Sequence, residues 1–587
     1  MAQVYTPIAA RRRSQKAPVF VWWVDLIVVL AVGAVAYGII STASRWTAPL
    51  TPSVSIDLSP AALPRYAGLS TLRMAIAYLL SLVFSVLYGR IAATGHLAER
   101  VMVPVLDILQ SIPILSFLPG VVLGLVALFP HNNLGLELGA ILLIFTSQAW
   151  NMAFSVYHSM LTIPQDLREV AAISRLNAWQ RFTRLELPFG TIPLIWNSMM
   201  SWAGGWFFLM AAEQFTLGSR SFQLPGLGSY LQRAANAGDI GALLLGLATL
   251  IIIIVLLDQV LWRPLVAWAD KFKIEQTGSG DAPHSFVLDA LRHSALLAWT
   301  TRHALEPASR WFDSAMTSLV SRLAPTTRAP SQKRRASRTR QIAVTLIGGL
   351  LLLGACLVGA AAAVREIANV SPDTWGTISA GAGATFLRVA VALAIGALWT
   401  VPLGVAIGLN PRWARTAQPL VQMVASIPAT ALFPALLLIL LDLPGGLNVA
   451  AIALMLLGTQ WYILFNVIAG AMAIPNDLRE AAAVYQLSGW RRWRYLILPG
   501  IFPSLITGMI TAAGGAWNAS IVAEYVSFNQ RTYHTLGLGA LITQSANNGD
   551  FAALLAATLT MAAVVVLINR LLWHRLYRLA EQRFHLD

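Results

Sequence analysis

The chain has 587 residues, of which 57% are hydrophobic and only 11% are charged, and its formal net charge is +15. This composition excludes an ordinary soluble domain and is typical of a protein that crosses a membrane several times. The single cysteine, Cys356, excludes an internal disulfide and a metal site built from cysteines.

Apolar runs of about 20 residues recur along the chain, and each is long enough to cross ~30 Å of hydrocarbon. Backbone polar groups within lipid must be hydrogen-bonded inside their own segment, so these runs are expected to be helices. We predict an all-α polytopic membrane protein with about 12 transmembrane helices. The predicted spans are 19–40, 70–94, 101–129, 138–160, 190–212 and 241–265, then 341–363, 384–408, 416–441, 447–472, 501–523 and 551–573.

Basic residues cluster in alternate loops, and an even number of spans places both termini on the basic side. Cytoplasmic loops concentrate Lys and Arg, which predicts a multi-pass protein with both termini cytoplasmic. The run 19–40 is interpreted as a signal-anchor helix, because it is longer than the apolar core of a cleaved signal peptide. Topology accounts for the basic excess, so no nucleic-acid binding is expected.

The two halves of the chain repeat each other in the same orientation. Ser111–Pro113 recurs at Ser426–Pro428, and Gly226–Gly228 recurs at Gly537–Gly539. Two tandem parallel six-helix repeats imply a pseudo-two-fold axis along the membrane normal. The predicted domains are a cytoplasmic basic N-terminus at 1–18, membrane-spanning repeats at 19–270 and 341–575, a cytoplasmic linker at 271–340, and a cytoplasmic tail at 576–587.

The linker is basic and contains neither a 20-residue apolar run nor a recognisable catalytic motif. Its stretches Phe286–Leu297 and Trp311–Leu323 are amphipathic. They are predicted to lie on the membrane surface or to cap the cytoplasmic face, and the sequence leaves both positions open.

One charged loop occurs twice, as P-Q-D-L-R-E-V-A-A from Pro164 and as P-N-D-L-R-E-A-A-A from Pro475. Asp166 and Glu169 have the spacing of a capping box, which predicts a short helix that runs through Ile173, with Asp as the cap. Arginine at the centre of each loop is expected to give exposed charge, and the alanines allow close approach of another protein. The predicted docking residues are Asp166, Leu167, Arg168, Glu169, Ala171, Ala172, Asp477, Leu478, Arg479, Glu480, Ala481 and Ala482.

The doubled loop resembles the Glu-Ala-Ala loop of ATP-binding-cassette (ABC) importer permeases, in which Leu-Pro follows the Glu after a fixed interval. That interval is the same from Glu169 to Leu187 and from Glu480 to Leu498. Three further features are similar to the nitrate/sulfonate/taurine/bicarbonate group of these permeases. They are the D-L-R-E-A-A motif, a Trp ten residues after each Glu, and Ala-Glu at the end of each fifth span. The family's usual Gly, six residues after the Glu, is replaced by Arg175 and Gln486, which puts the usual left-handed helix end in doubt.

The resemblance implies a type I ABC importer fold in which both loop helices seat on a cytoplasmic ABC ATPase dimer that binds ATP and Mg. The chain itself is expected to hold no cofactor and to be no enzyme, because none of its four lysines follows Gly as in a Walker A motif. The family also uses periplasmic or extracellular substrate-binding proteins. The expected location is the bacterial plasma (inner) membrane, whose lipid surrounds the spans. The expected substrate is a small anion or an organic solute. The alternative is an ion-gradient-driven secondary transporter, which would leave the doubled loop unexplained.

Eight further residues are candidates for a substrate path or gate. Ionisable groups at membrane depth are costly, so they carry a function or pair with each other, and both interpretations stay open. Ser-Ile-Pro interrupts each third span, either to line a path or to help helices pack. The candidates are Arg73, Arg388, Ser111, Pro113, Ser426, Pro428, Glu213 and Glu524. The histidines lack metal-ligand spacing, so no metal is expected.

Overall fold

A computed structural model describes residues 55–111, 113–129, 133–217, 220–272, 285, 287–289, 303, 306–323, 354, 357–528 and 531–583. Within these ranges, seven helices are long and apolar enough to cross a membrane. They are Pro60–Ala92, Leu134–Thr162, Ile240–Ala269, Pro372–Leu409, Gly446–Met472, Gly489–Ala523 and Phe551–Ala580. The all-helical class is confirmed, whereas the count of about 12 spans stays a prediction. The predicted span 19–40 and most of 341–363 lie outside the described residues.

The first half runs from a long helix through two short ones to a second long helix and a loop helix. Its helices are α1 (Leu63–Ala92), α2 (His96–Ser111), α3 (Leu118–Leu128), α4 (Leu134–Thr162), α5 (Gln165–Ile173), α6 (Ala178–Arg181), α7 (Leu187–Glu213), α8 (Leu227–Ala237), α9 (Ile240–Leu257) and α10 (Arg263–Ala269). A linker helix, α11 (Glu306–Leu323), follows.

The second half repeats this order, and residues 357–368 before it are also helical. Its helices are α12 (Pro372–Leu409), α13 (Pro411–Ala425), α14 (Ala429–Leu440), α15 (Gly446–Met472), α16 (Asn476–Val484), α17 (Gly489–Arg492), α18 (Leu498–Ala523), α19 (Leu538–Asn548), α20 (Phe551–Ile568) and α21 (His574–Arg583). A π-helical turn joins α6 to α7, and another joins α17 to α18.

Two short β-hairpins are the part of the fold that the all-helical prediction missed. Strands β1 (Gln214–Leu217) and β2 (Arg220–Gln223) pair antiparallel between α7 and α8. Strands β3 (Tyr525–Phe528) and β4 (Arg531–His534) pair in the same way between α18 and α19. Four-residue strands carry too little alternation to be separated from a loop by sequence pattern alone.

The third spans are broken, as the Ser-Ile-Pro motifs indicated. In the first half α2 ends at Ser111 and a 3₁₀ turn, Ile114–Phe117, precedes α3. In the second half α13 ends at Ala425 and α14 begins at Ala429, directly after Pro428. Proline cannot donate a backbone hydrogen bond, so a break at this point is expected. The predicted interruption of the spans 101–129 and 416–441 is therefore confirmed, and each of these spans consists of two shorter helices.

Each half is organised around one central helix. Helix α4 packs between α1 and α7, and α15 packs between α12 and α18. Small residues allow this close packing, because a Cβ added at Gly89 on α1 would lie 2.8 Å from the Ala153 carbonyl oxygen on α4. Gly404 holds the matching position on α12 and meets Val467 on α15.

The halves contact each other reciprocally. Helix α8 of the first half meets strand β3 of the second, and α19 of the second half meets β1 of the first. Gln232 on α8 donates a hydrogen bond across this interface to the Ser527 carbonyl at 2.9 Å. Such exchange of equivalent contacts is the arrangement expected of two parallel repeats about a pseudo-two-fold axis.

Candidate functional site

The two loop helices, α5 and α16, are nine residues each and begin directly after proline. Pro164 and Pro475 are the N-cap residues, and neither helix has a side-chain cap bond. The predicted capping box is therefore wrong. The helix starts two residues earlier than expected, so Asp166 lies inside the first turn, where the positive end of the helix dipole favours a carboxylate. The predicted run of α5 through Ile173 is confirmed.

The central arginine of each loop helix binds the long helix that precedes it. Arg168 Nη2 donates to the Met160 carbonyl at 2.7 Å and to the Leu161 carbonyl at 3.2 Å. Arg479 Nη2 donates to the Ala471 carbonyl at 2.8 Å. These carbonyls belong to the last turns of α4 and α15, where a cation is favoured. Arg168 is exposed and Arg479 is half-buried, so the expected exposed charge is present at Arg168, while both guanidiniums also anchor their loop helix.

Both loop helices end in the left-handed conformation that the sequence had placed in doubt. Arg175 and Gln486 each have φ of 51°. The Leu176 amide donates to the Ala171 carbonyl at 3.2 Å, and the Arg175 amide donates to the Ala172 carbonyl at 3.0 Å. This is a Schellman motif, and α16 ends in the same way. The turn has the geometry that glycine favours, built here from two residues that adopt it only with strain.

The remaining predicted loop residues divide into a buried and an exposed set. Ala171 and Ala482 are buried against the bundle, and Leu167 is half-buried. The side chains of Asp166, Glu169, Ala172, Asp477, Leu478, Glu480 and Ala481 are exposed. Next to them, Val170, Ile173, Val484 and Tyr485 are also exposed, with Ile173 at 82%. A group of solvent-exposed apolar side chains beside charged side chains indicates a protein-docking surface.

After the loop helices the two halves differ. Glu186 in the first half is buried and accepts from Arg90 Nε at 3.0 Å and from Arg181 Nε at 2.7 Å. In the second half, Val405 takes the place of Arg90, and Ile497 takes the place of Glu186. Val405 and Ile497 are both buried. An ion pair in one half therefore stands where the other half packs two apolar side chains.

The linker helix α11 packs on the first half against α6, which follows α5 in the chain. Trp179 Nε1 on α6 donates to Asp313 Oδ1 at 2.7 Å. The Trp179 and Phe312 rings meet edge to face, 5.9 Å between centroids. The tryptophan at the matching place in the second half, Trp490, is 70% exposed.

At the opposite end of α4, Arg73 and Glu213 form a buried ion pair. Arg73 Nη1 lies 2.7 Å from Glu213 Oε1, and Glu213 has no exposed side-chain surface. Glu213 also accepts from Ser70 Oγ at 2.6 Å and from the Gly228 amide at 2.7 Å. Glu137, in the first turn of α4, takes two further bonds from Arg73. Every charged atom of the pair is therefore compensated, as burial requires.

The second half repeats this cluster with one charge fewer. Arg388 Nη1 lies 2.7 Å from Glu524 Oε1, and Glu524 is also fully buried. Thr385 and the Gly539 amide donate to the carboxylate in the places of Ser70 and Gly228. Asn448 stands where the first half has Glu137, and its Oδ1 accepts from Arg388 Nη2 at 2.8 Å.

The repeated G-L-G motif shapes both clusters. A Cβ placed on Gly226 or on Gly537 would overlap the carboxylate of Glu213 or Glu524. The third residue of each motif, Gly228 or Gly539, supplies the amide that donates to this carboxylate. The motif is therefore required by the close approach of backbone to a buried charge.

A cavity of about 730 Å³, counting the space at its open mouth, lies where α7 meets α14, α15 and α18. Its wall includes Phe207, Trp461, Tyr462 and Asn518, and none of its lining residues is charged. Asn518 Oδ1 accepts from the Ile114 amide at 2.6 Å, so this side chain also joins the broken span of the first half to α18.

The structure separates the eight predicted path residues. Arg73 with Glu213 and Arg388 with Glu524 lie in the two clusters, and Pro428 lines the cavity. Pro113 is buried, Ser426 Oγ donates to the Gln422 carbonyl at 2.8 Å, and Ser111 ends α2. Sequence reasoning missed Glu137, Asn448, Ser70 and Thr385. The repeat register pairs Ser70 with Thr385, two hydroxyl residues one helical turn before the arginines, and that signal could have found them. Within the described ranges, no cluster of His, Cys, Asp or Glu could hold a metal ion.

Comparison with known proteins accounts for the repeat. The family described as binding-protein-dependent transport system inner membrane component matches residues 81–261 and again 400–585. The chain belongs to this family. It is thus an ABC permease with the domain present twice, a transport component that is not itself catalytic.

Three individual relatives share less than 30% sequence identity with the permease over the matched residues. It is 28% identical to the nitrate import permease protein NrtB of Leptolyngbya laminosa over 188 residues, 32% of this chain and 64% of the relative. It is 29% identical to the bicarbonate transport system permease protein CmpB of Synechococcus elongatus over 197 residues, 33% of this chain and 66% of the relative. The taurine transport system permease protein TauC of Escherichia coli is 26% identical over 184 residues, 31% of this chain and 61% of the relative. The permease therefore matches less than two thirds of the length of these curated relatives.

Proposed function

We propose that the chain is the membrane-spanning part of an ATP-driven importer, and that α5 and α16 seat on two subunits of a separate cytoplasmic ABC ATPase that binds ATP and Mg. The observation that carries this proposal is the pair of loop helices, each exposed on one side and anchored on the other. Family membership supports the same assignment. The proposed topology has about 12 spans, as in type I ABC importers, with repeats at 19–270 and 341–575 and both termini cytoplasmic.

The anchoring contacts support transmission of movement from the ATPase into the bundle. Arg168 and Arg479 tie α5 and α16 to the last turns of α4 and α15. Each of these long helices is the centre of its half. An ATPase subunit that closes and displaces a loop helix would therefore displace the core of one half against the other. Such rigid-body motion at an interface is a common form of conformational switching.

The substrate path is proposed to include the cavity between the halves, with Pro428 in its wall. The relatives that are named for nitrate, bicarbonate and taurine support a small anion. The cavity favours a second candidate, an organic solute, because its wall is aromatic and without charge. An unpaired anion is costly in such surroundings, and Arg73 and Arg388 are already engaged by carboxylates. An external substrate-binding protein is the proposed source of cargo.

The test is the double variant Glu169→Lys and Glu480→Lys. Both glutamates are exposed on the loop helices, so charge reversal should leave the protein folded in the membrane. Binding of the ATPase should weaken by at least about tenfold, as expected for the loss of central interface contacts. ATP-dependent uptake into vesicles should fall with it. Asp373→Lys, on an exposed residue at the start of α12, is the matched control.

Normal co-purification of the ATPase and normal ATP-dependent uptake in the double variant would contradict the proposal. Uptake that survives removal of the ATPase, and that an ionophore abolishes, would instead favour a secondary transporter driven by an ion gradient.

A further inference from the structure

The linker helix α11 is bound to the protein by one side. Asp313 accepts the hydrogen bond from Trp179, and it also lies 4.0 Å from Arg184. Phe312 adds the edge-to-face contact with the same tryptophan. A polar bond and an aromatic contact on one residue fix both the position and the rotation of the helix.

The side of α11 that faces away from Trp179 carries a solvent-exposed aromatic residue. Trp311 is two positions before Asp313, which places it about 160° around the helix axis. Its side chain is 72% exposed. Large exposed aromatic side chains are the residues that most often carry the binding energy of a protein interface.

Charge argues against the lipid surface as the occupant of this side. Helices that lie on membranes are rich in Lys and Arg on their polar face. The sequence of α11 contains two acidic residues, Glu306 and Asp313, and two basic ones, Arg310 and Arg322, so its net charge is zero. Glu306 and Arg310 are also paired with each other at 2.8 Å.

We propose that α11 extends the docking surface of the first loop helix, and that Trp311 contacts the ATPase subunit seated on α5. The inference rests on the proposed function above. It is argued from continuity, because α11 is bound to α6, only a short turn beyond the end of α5. The second half offers no such helix among the described residues, and Trp490 is exposed there. The two ATPase contacts of the permease are therefore unequal, with a larger one on the first half.

A cysteine cross-link tests the contact directly. The full permease with Cys356→Ser and Trp311→Cys, labelled with benzophenone maleimide and placed in nanodiscs with the ATPase, should form a photo-cross-link to one ATPase subunit. Asp373→Cys in the same background is the control and should form none. Labelling of the Trp311→Cys position by a photoreactive lipid, without any ATPase cross-link, would assign α11 to the membrane surface and overturn the proposal.

An affinity measurement gives a second readout. Trp311→Ser should weaken ATPase binding by about tenfold, the change expected for an interface aromatic residue. Trp375→Ser, which removes an exposed tryptophan at the start of α12, should leave the affinity unchanged. An unchanged affinity in Trp311→Ser would contradict the inference.

A matched pair of substitutions tests the bond that holds α11. Trp179→Phe keeps an aromatic ring but removes the donor to Asp313, so the cross-link yield from position 311 should fall severalfold. Trp490→Phe is the same change in the second half and should not alter the yield. Equal yields in the two variants would show that the Trp179 bond does not position the linker helix.

The two proposals can fail separately. If the loop-helix double variant still binds the ATPase normally, the proposed function fails. If that variant loses the ATPase while Trp311→Ser retains it and no cross-link forms, only the role of α11 fails.

Discussion

The two ends of the helical bundle differ in how closely the halves agree. At the end that holds Arg73 and Arg388 (the ion-pair end), both halves keep a buried Arg–Glu pair, a hydroxyl donor and a glycine amide in matching positions. At the end that holds α5 and α16 (the loop end), the first half has Arg90 and Glu186 where the second has Val405 and Ile497. Among the residues that the structure describes, a linker helix packs on the first half alone.

This difference follows from the cost of burying charge. A buried ion pair that loses one partner leaves the other uncompensated, whereas replacement of both partners by apolar side chains can be neutral. Arg90 and Glu186 are replaced together in the second half, which avoids the loss of stability that a single unpaired buried charge would cause. The Arg–Glu pairs at the other end also organise a G-L-G backbone, so both copies keep them. The predictions below compare the copies, beginning with the largest expected effect.

Glu524→Gln should destabilise the protein more than Glu213→Gln. Glu524 is the only carboxylate in contact with Arg388 among the described residues, so its loss leaves a buried guanidinium without a counter-charge. Arg73 keeps Glu137 after the matching change. We expect a loss of about 3–5 kcal/mol in the free energy of unfolding for Glu524→Gln and roughly half of that for Glu213→Gln. Denaturant unfolding of both variants in the same detergent measures the order, and equal losses would show that Glu137 does not compensate.

A smaller effect is expected where the first half is converted to the residues of the second. Arg90→Val and Glu186→Ile should each lower the free energy of unfolding by about 1–3 kcal/mol, because each leaves a partly buried charge with fewer partners. The double variant should lose less than the sum, with a coupling of about 1 kcal/mol. A double-mutant cycle by thermal or denaturant unfolding measures the coupling. Simple additivity would mean that the pair contributes no mutual stabilisation.

The smallest effect concerns the ends of the loop helices. Arg175→Gly and Gln486→Gly should each stabilise the turn by about 0.5–1 kcal/mol, because glycine adopts positive φ without strain. Hydrogen exchange of the Leu176 and Leu487 amides should slow accordingly. Gly549→Ala is the converse control. Its φ is 71° and a Cβ there meets open space, so any loss reports the backbone conformation alone. Faster exchange in the glycine variants would contradict a strained turn.

The sequence predicted most of what local pattern controls. Apolar runs located the long helices, and the charged loop located α5 through Ile173. The break after Ser-Ile was also visible, because proline limits the backbone wherever it stands. Four of the five ionisable residues in the two ion-pair clusters were recognised as unusual, since charge at membrane depth is rare.

Long-range partners could not be predicted in the same way. The bond from Arg168 to the end of α4 depends on the angle at which the chain turns after Thr162. Glu137 escaped notice because the other half has Asn448 in its place, so the repeat did not mark it. The capping box failed because Pro164 takes the cap position itself. The hairpins are too short to have a periodicity of their own.

Helix α4 links the two ends of the first half as a single stiff rod. It holds Glu137 in its first turn and receives Arg168 at its last. A 29-residue helix is about 43 Å long, so a tilt of roughly 5° about its midpoint moves each end by about 2 Å. A hydrogen bond does not survive such stretching. Any displacement of the loop helix must therefore be shared with the Arg73 guanidinium or must break a bond at one end of the rod. In the second half, α15 corresponds to α4 and carries the uncharged amide of Asn448 in place of Glu137. The hydrogen bond between Asn448 and Arg388 would therefore break more easily.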